Sequence, residues 1–227
     1  VRHGAPWVYS NDLVLDRRTK ALPAGSIVQL EDAAREFLAW AALTPASKIA
    51  IRVLDRDPEA TIDADWIKAR LVRAAALRDN LYDAPFYRLV HAEADGLPGV
   101  VIDRFGDCAV FQPNAAWADA RKDDFVEALQ SALGIKTGII NGTGRARALE
   151  GLEEIRNVAA GPEPDGPIHV PMNGATYLAD LMGGQKTGLF YDQRPNHAFA
   201  QSLSRDARVL DVFSHVGGFG LAALAGG

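Results

Sequence analysis

The sequence predicts a mixed α/β chain in three parts. These are a small β-barrel, a small α+β layer domain entered through a helix, and the opening strand and helix of a nucleotide-type α/β unit. Three observations predict it. Several short apolar runs separated by turn residues crowd into residues 1–62. From residue 87 onward the runs follow the order strand, strand, strand, helix, strand. Near residue 227, a short β-type run, a glycine-bearing loop and a helix-favouring stretch follow one another.

In residues 1–62, Trp7-Val8-Tyr9 is apolar and Ser10-Asn11-Asp12 after it is turn chemistry. Pro23-Ala24-Gly25 punctuates before the run Ser26 to Leu30, and Glu31-Asp32 separates that run from Glu36 to Ala41. Lys48 to Leu54 alternates Ile49, Ile51 and Val53 against Lys48, Ala50 and Arg52, as a half-buried strand should. Residues 63–165 open with a helix over 63–82, where Trp66, Ile67, Leu71, Ala74, Ala75 and Leu81 recur mostly at three- and four-residue spacing and Asp63 is placed to cap the N-terminus. Strands follow at Tyr87–His91, Val100–Asp103 and Cys108–Gln112, then an amphipathic helix over Ala118–Leu133 and a strand over Ile135–Ile140. Ala159 to Pro167, rich in Gly, Pro and acids, reads as the linker. Residues 166–227 begin with a hairpin, Ile168–Met172 and Ala175–Leu178 flanking Asn173-Gly174, a dipeptide suited to a type I′ turn.

Composition excludes several classes. The chain is 48% apolar and 23% charged, which excludes a disordered chain, and it has 21 Gly, 12 Pro and 1 Cys, which excludes collagen-like and disulfide-rich classes. Its longest unbroken apolar stretch, Phe37 to Leu43, is far short of the ~18 residues a membrane span needs. The lone Cys108 cannot form an internal bridge, so a reducing, cytoplasmic setting is the expectation, and no charged-then-apolar leader opens the chain. Net charge is −5, but residues 1–62 carry eight basic and eight acidic groups, a balance that leaves room for a local basic patch and RNA contact.

The sharpest chemistry lies near the end. Arg208 to Phe213 leads into Ser214-His215-Val216-Gly217-Gly218-Phe219-Gly220 and then Leu221 to Ala225. Glycine there lets a ligand approach the backbone, and the N-terminus of the helix after it offers N–H groups to a carboxylate or phosphate. The spacing is neither G-x-G-x-x-G nor a P-loop. A second concentration runs from Gly183 to Arg194, with three glycines in six residues beside Lys186, Thr187, Asp192 and Arg194, and is poor core material. Elsewhere the signals are structural. Cys108 reads as a packed small hydrophobe, His91 and Asp95 as a hydrogen-bonded turn, and Trp7, Trp40, Trp66 and Trp117 as core. The five His and scattered acids show no metal-ligand spacing, and the neighbours Ser214 and His215 are no dyad.

Gln185-Lys186-Thr187-Gly188 with Phe190 and Asp192-Gln193-Arg194, then Val209-Leu210-Asp211 and Gly217-Gly218-Phe219, resemble the large-subunit ribosomal RNA cytosine-C5 methyltransferases that carry an N-terminal PUA domain. Pro6 to Asn11 resembles that family's opening, and His91 to Arg104 its middle domain. The resemblance implies a PUA-like β-barrel over 1–62, a linker helix and small α+β domain over 63–165, and over 166–227 a hairpin with the first βα unit of a Rossmann-like, S-adenosylmethionine-binding class I methyltransferase domain.

It further implies a cofactor pocket lined by Lys186, Thr187, Phe190, Asp192, Arg194, Asp211, Phe213, Ser214, Gly217, Gly218 and Phe219. Arg194 would clamp the methionine carboxylate and Asp192 would accept from the ammonium. The family often has Ser-Tyr-Thr where this chain has Ser214-His215-Val216, so only Ser214 carries over. Ribosomal RNA is the implied partner, and a homodimer is compatible with it. Methylation at cytosine C5 needs a nucleophile on C6, in this family a downstream cysteine thiolate. No residue before Gly227 fits that role, so the sequence reads as C-terminally truncated and inactive as it stands. The rival readings are a guanine methyltransferase with similar cofactor motifs and a non-catalytic RNA-binding protein.

Overall fold

A computed structural model describes residues 1, 4–184 and 187–227. The N-terminal part comprises β1 (Trp7–Tyr9), α1 (Arg17–Lys20), β2 (Ser26–Glu31), β3 (Phe37–Leu43) and β4 (Ile49–Asp55). The strands pair antiparallel in the order β1-β4-β3-β2. The sequence leads one to expect a barrel; among the described residues the ladders do not close, and β1 and β2 remain edges. Each ladder carries an irregularity (at Val8/Tyr9, Leu30/Glu31 and Trp40/Ala41) that bends the sheet around its own core of Ala41, Leu43 and Ile51.

The alternation in β4 predicts one wet face, yet Ala50 and Leu54 on that face are buried too. They face the second part of the chain. Ala42 and Leu54 pack into its core with Ile67, Leu71 and Leu97.

That second part opens with α2 (Ala64–Asp79), where the Asp63 carboxylate accepts from the Trp66 amide at 2.9 Å, as the sequence predicts. Ile67, Leu71, Ala74 and Ala75 form its buried stripe. β5 (Phe86–His91), β6 (Val100–Phe105), β7 (Cys108–Pro113), β8 (Thr137–Gly142) and β9 (Ile155–Ala160) form one sheet in sequence order. Only the β7–β8 pairing is parallel, so a crossover must join them. It is α3 (Ala116–Ala120) followed by α4 (Lys122–Leu133), so the single helix expected over 118–133 begins earlier and breaks at Arg121. The short α5 (Arg145–Leu149) and the edge strand β9 were not expected from the sequence. Ala159 and Ala160, read as linker, close β9, and the chain leaves the ladder at Gly161. There φ is +74° and a Cβ would lie 2.0 Å from the Lys136 carbonyl oxygen, so only glycine fits.

The third part packs on the opposite face of this sheet from α2 and α4. β10 (Ile168–Met172) and β11 (Ala175–Ala179) pair around Asn173 and Gly174, both at positive φ, as a type I′ turn demands. Val170, Met172, Tyr177 and Ala179 meet Phe105, Val110 and Ile139 of the sheet. Two helices follow, α6 (Arg194–Ser202) and α7 (Gly218–Ala225). The expected strand over 208–213 is absent. The segment is irregular and open, with Leu210 86% and Phe213 99% exposed, because no described strand lies beside it to complete a ladder. No described helix is long and apolar enough to cross a membrane.

Candidate functional site

The chain between β11 and α6 has little regular structure, and hydrogen bonds fix it instead. Asp180 turns the chain by accepting from the amides of Met182 and Gly183, at 3.1 and 2.7 Å. The Thr187 hydroxyl, buried, donates to Asp103 Oδ2 on β6 at 2.6 Å. The Tyr191 hydroxyl donates to the Arg104 carbonyl at 2.9 Å. Arg194 donates to the Phe86 carbonyl at 3.0 Å and lays its guanidinium 4.3 Å above the Tyr82 ring.

After α6, the turn from Asp211 leads into α7. Asp211 Oδ2 accepts from the Gly220 amide at 2.9 Å, an acid at a helix N-terminus. Phe213 and His215 both hold left-handed φ values, 60° and 52°, which no glycine relieves. Gly217 precedes the helix at φ +75°. His197 of α6 is buried between Tyr177, stacked at 6.2 Å, and Phe219, edge-on at 4.6 Å.

An open cavity of about 370 Å³ lies between the loop at Leu189–Gln193, His197 and the turn 211–219. Phe190, Asp192, Asp211, Phe213, Ser214, Gly218 and Phe219, all named from the sequence, line it. Gly217, the residue before α7, is not among the lining residues. Thr187 and Arg194 are not among the lining residues. The Thr187 hydroxyl donates to Asp103 and one Arg194 nitrogen, Nη1, donates to the Phe86 carbonyl, so both side chains lean on the middle sheet. Lys186 lies outside the described residues. His215 and Val216, in the loop the resemblance places at the pocket but with no role carried over, also line the cavity, and Leu189, His197 and Val212 line it without having been named as site residues. His197 had one signal, its place one helical turn after Gln193, which also lines the cavity.

The described lining holds two carboxylates, three phenylalanine rings and no Lys or Arg. Burial pushes the His197 imidazole below its ordinary 6.5, although Asp211 and Asp192 pull the other way. The unfolded chain therefore takes up a proton that the folded protein resists. This contribution to stability is expected to be full above about pH 6.5 and to fall as pH drops through the unfolded value toward the lower folded one. His197→Phe should flatten that part of the profile, measured as urea midpoints from about pH 5 to pH 8. A wild-type profile identical to the variant's would contradict it.

Outside the cavity, the other residues noted in the sequence occupy structural positions. Cys108 is half-buried against the second core cluster, and burial raises its thiol pKa. The His91 amide donates to Asp95 within its turn. Trp7 is the exception among the tryptophans, since it lies at the surface and donates to Glu93 at 2.9 Å. Among the described residues no three His, Cys, Asp or Glu gather to hold a metal.

Residues 1–56 match the family described as PUA-like domain. In three dimensions the chain superposes on a candidate SAM-dependent methyltransferase from Streptococcus mutans with a TM-score of 0.80 at 22% identity, covering 100% of this chain and 57% of that one. A candidate methyltransferase complexed with SAH gives 0.82 at 22% identity, over 100% and 57%. In sequence, the chain is 38% identical over 231 residues to the ribosomal RNA large subunit methyltransferase I of Photobacterium profundum, covering 100% of this chain and 58% of that protein. To the protein of the same name from Cronobacter sakazakii it is 39% identical over 226 residues, covering 98% and 56%. The chain is thus similar from end to end to ribosomal RNA large subunit methyltransferases I and spans a little over half the length of each.

Proposed function

We propose that this chain is part of a cytoplasmic, S-adenosylmethionine-dependent methyltransferase acting on large-subunit ribosomal RNA at cytosine C5. In this reading residues 1–62 are a PUA-like RNA-contacting domain and 63–165 the middle α+β domain. Residues 166–227 begin a Rossmann-like cofactor domain, whose remaining βα units and nucleophilic cysteine follow Gly227. The match to little more than half of each relative's length supports that last point.

The observation that carries the reading is the chemistry of the cavity. Asp192 and Asp211 beside Phe190, Phe213 and Phe219 suit a ligand that is cationic at one end and flat and apolar at the other. The same two carboxylates repel a polyphosphate. The ligand would supply a methyl group on a positively charged sulfur. Asp192 would accept from its ammonium, the phenylalanine faces would pack its base, and the first-turn amides of α7 would supply neutral donors for its carboxylate.

Calorimetric titration of the full-length protein with S-adenosylmethionine, S-adenosylhomocysteine and ATP tests it. The first two should bind and ATP should not. Tritiated methyl groups should then appear at C5 of cytosine in large-subunit RNA. Heat with neither nucleoside returns the protein to RNA binding without catalysis, and label on guanine overturns the choice of base.

A further inference from the structure

We infer that Asp103, on a central strand of the middle sheet, is a positioning residue for the cofactor cavity, acting through Thr187 to fix the loop that carries Phe190 and Asp192. The inference rests on the cofactor reading above and adds a residue from a different part of the chain.

Asp103 sits on β6 with its side chain 0% exposed. A carboxylate there is costly unless it is fully partnered, and a hydrophobic residue would fill the space more cheaply. Its partners show what the charge achieves. Arg88 of β5 donates to both oxygens, at 2.8 and 3.2 Å, and Thr187 donates to Oδ2 at 2.6 Å. Arg88 belongs to the same sheet, so that pair alone would only neutralise the acid. Thr187 belongs to the loop, 84 residues away in sequence.

Burial of Leu181, Leu189 and Tyr191 against the sheet holds the two ends of the loop, and Thr187 is the polar tie between them. Gly183 and Gly184 precede it, and Gly188 follows Thr187 at φ +97°. Two further bonds hold its far side to the same two strands, from Tyr191 to the Arg104 carbonyl and from Arg194 to the Phe86 carbonyl. Leu189, Phe190 and Asp192 lie between these attachments and form one wall of the cavity. That wall is therefore tied to the middle sheet at three points, and Asp103 is its fully buried attachment.

Arg88 is held as a cation by the acid it pairs with. Burial works against its cation, but the hydrogen bond and charge of Asp103, with Asp192 further off, outweigh burial and hold its pKa above the ordinary value.

The test is the dissociation constant for S-adenosylhomocysteine in the full-length protein, measured beside thermal stability. Asp103→Ala and Thr187→Val should each weaken binding about tenfold or more, since a shifted wall misplaces several contacts at once. Thr187→Ser, which keeps the hydroxyl, should return it to within about threefold of wild type. In steady state the KM for S-adenosylmethionine should rise more than kcat falls. Asp95→Asn serves as the control. It weakens another ion pair of the same domain, with Arg78 at 2.7 Å, that does not touch the loop. It should lower the melting temperature and leave the dissociation constant unchanged. Unchanged binding in Asp103→Ala and Thr187→Val overturns the inference. So does a Thr187→Ser as weak as Thr187→Val, or an equal loss in the Asp95→Asn control. Absence of binding by the wild type overturns the cofactor reading, and the inference with it.

Discussion

Glu150→Ala is expected to destabilise the protein by about 3–5 kcal/mol, the range for removing one partner of a buried ion pair. The Glu150 side chain is 2% exposed, at the end of α5. It accepts from Arg52 at 2.8 Å and from Thr44 at 2.9 Å, both in the N-terminal part, and more distantly from Ser47 at 3.5 Å. The amide of Ala116, at the start of α3, donates to the same carboxylate at 3.4 Å. One group therefore joins the N-terminal sheet to the middle domain. Without it Arg52 keeps, among the described residues, only Glu93 at 3.5 Å, and its buried Nε has no partner among them. Glu150→Gln keeps the acceptor but turns an amide donor toward other donors, so a smaller loss is expected. Urea denaturation gives the magnitude, and hydrogen exchange should show β4 and α3 opening together. A loss below about 1 kcal/mol would mean that apolar contacts such as Leu54 with Ile67 hold the two parts without help.

The other large effect falls on the cavity. Gly218→Val should abolish measurable S-adenosylhomocysteine binding and cost about 1–3 kcal/mol, the range for overpacking. A Cβ at Gly218 would lie 2.6 Å from His197 Nε2 and 2.7 Å from its Cε1. The ring cannot step aside, since Tyr177 stacks on it and Phe219 meets it edge-on. Adding His197→Ala removes the obstacle, so the double variant should regain part of the stability that Gly218→Val loses. If the double variant loses the sum of the two single effects, the ring is not the obstacle. Gly220→Ala is a graded comparison. Its Cβ would sit 3.0 Å from Asp211 Oδ2, a contact that a small movement of the carboxylate relieves, so a milder loss of binding is expected.

Where local chemistry sets the conformation, the sequence alone is enough to read it. Asn173-Gly174 needs no context to form its turn, and Asp63 caps α2 with a bond to a residue three positions on. β9 was illegible because Ile155 and Val158 are its only branched apolar residues, and Arg156 and Asn157 between them are exposed, as an edge strand allows. The run Arg208 to Phe213 failed in the opposite sense. Its composition is that of a strand, but a strand is a property of at least two segments, and the second is missing among the described residues. At the cavity, motif position indicates neighbourhood but not direction. Thr187 and Arg194 belong to the same loop as Phe190 and Asp192, yet they face the middle sheet, and only the fold reveals that Asp103 and Phe86 wait there. His197 is not legible as a cavity residue because a histidine in a helix carries no local mark of the rings that will enclose it.

The open segment at 208–213 also bears on how such a chain behaves in the cell. Leu210, Val212 and Phe213 are bare and of β type, the composition from which intermolecular sheets nucleate. Arg208 before the run and Asp211 within it interrupt the apolar sequence with opposite charges, as gatekeepers do. Two side chains of opposite charge thus shield a sticky stretch against self-association, a task separate from any that Asp211 performs at the cavity.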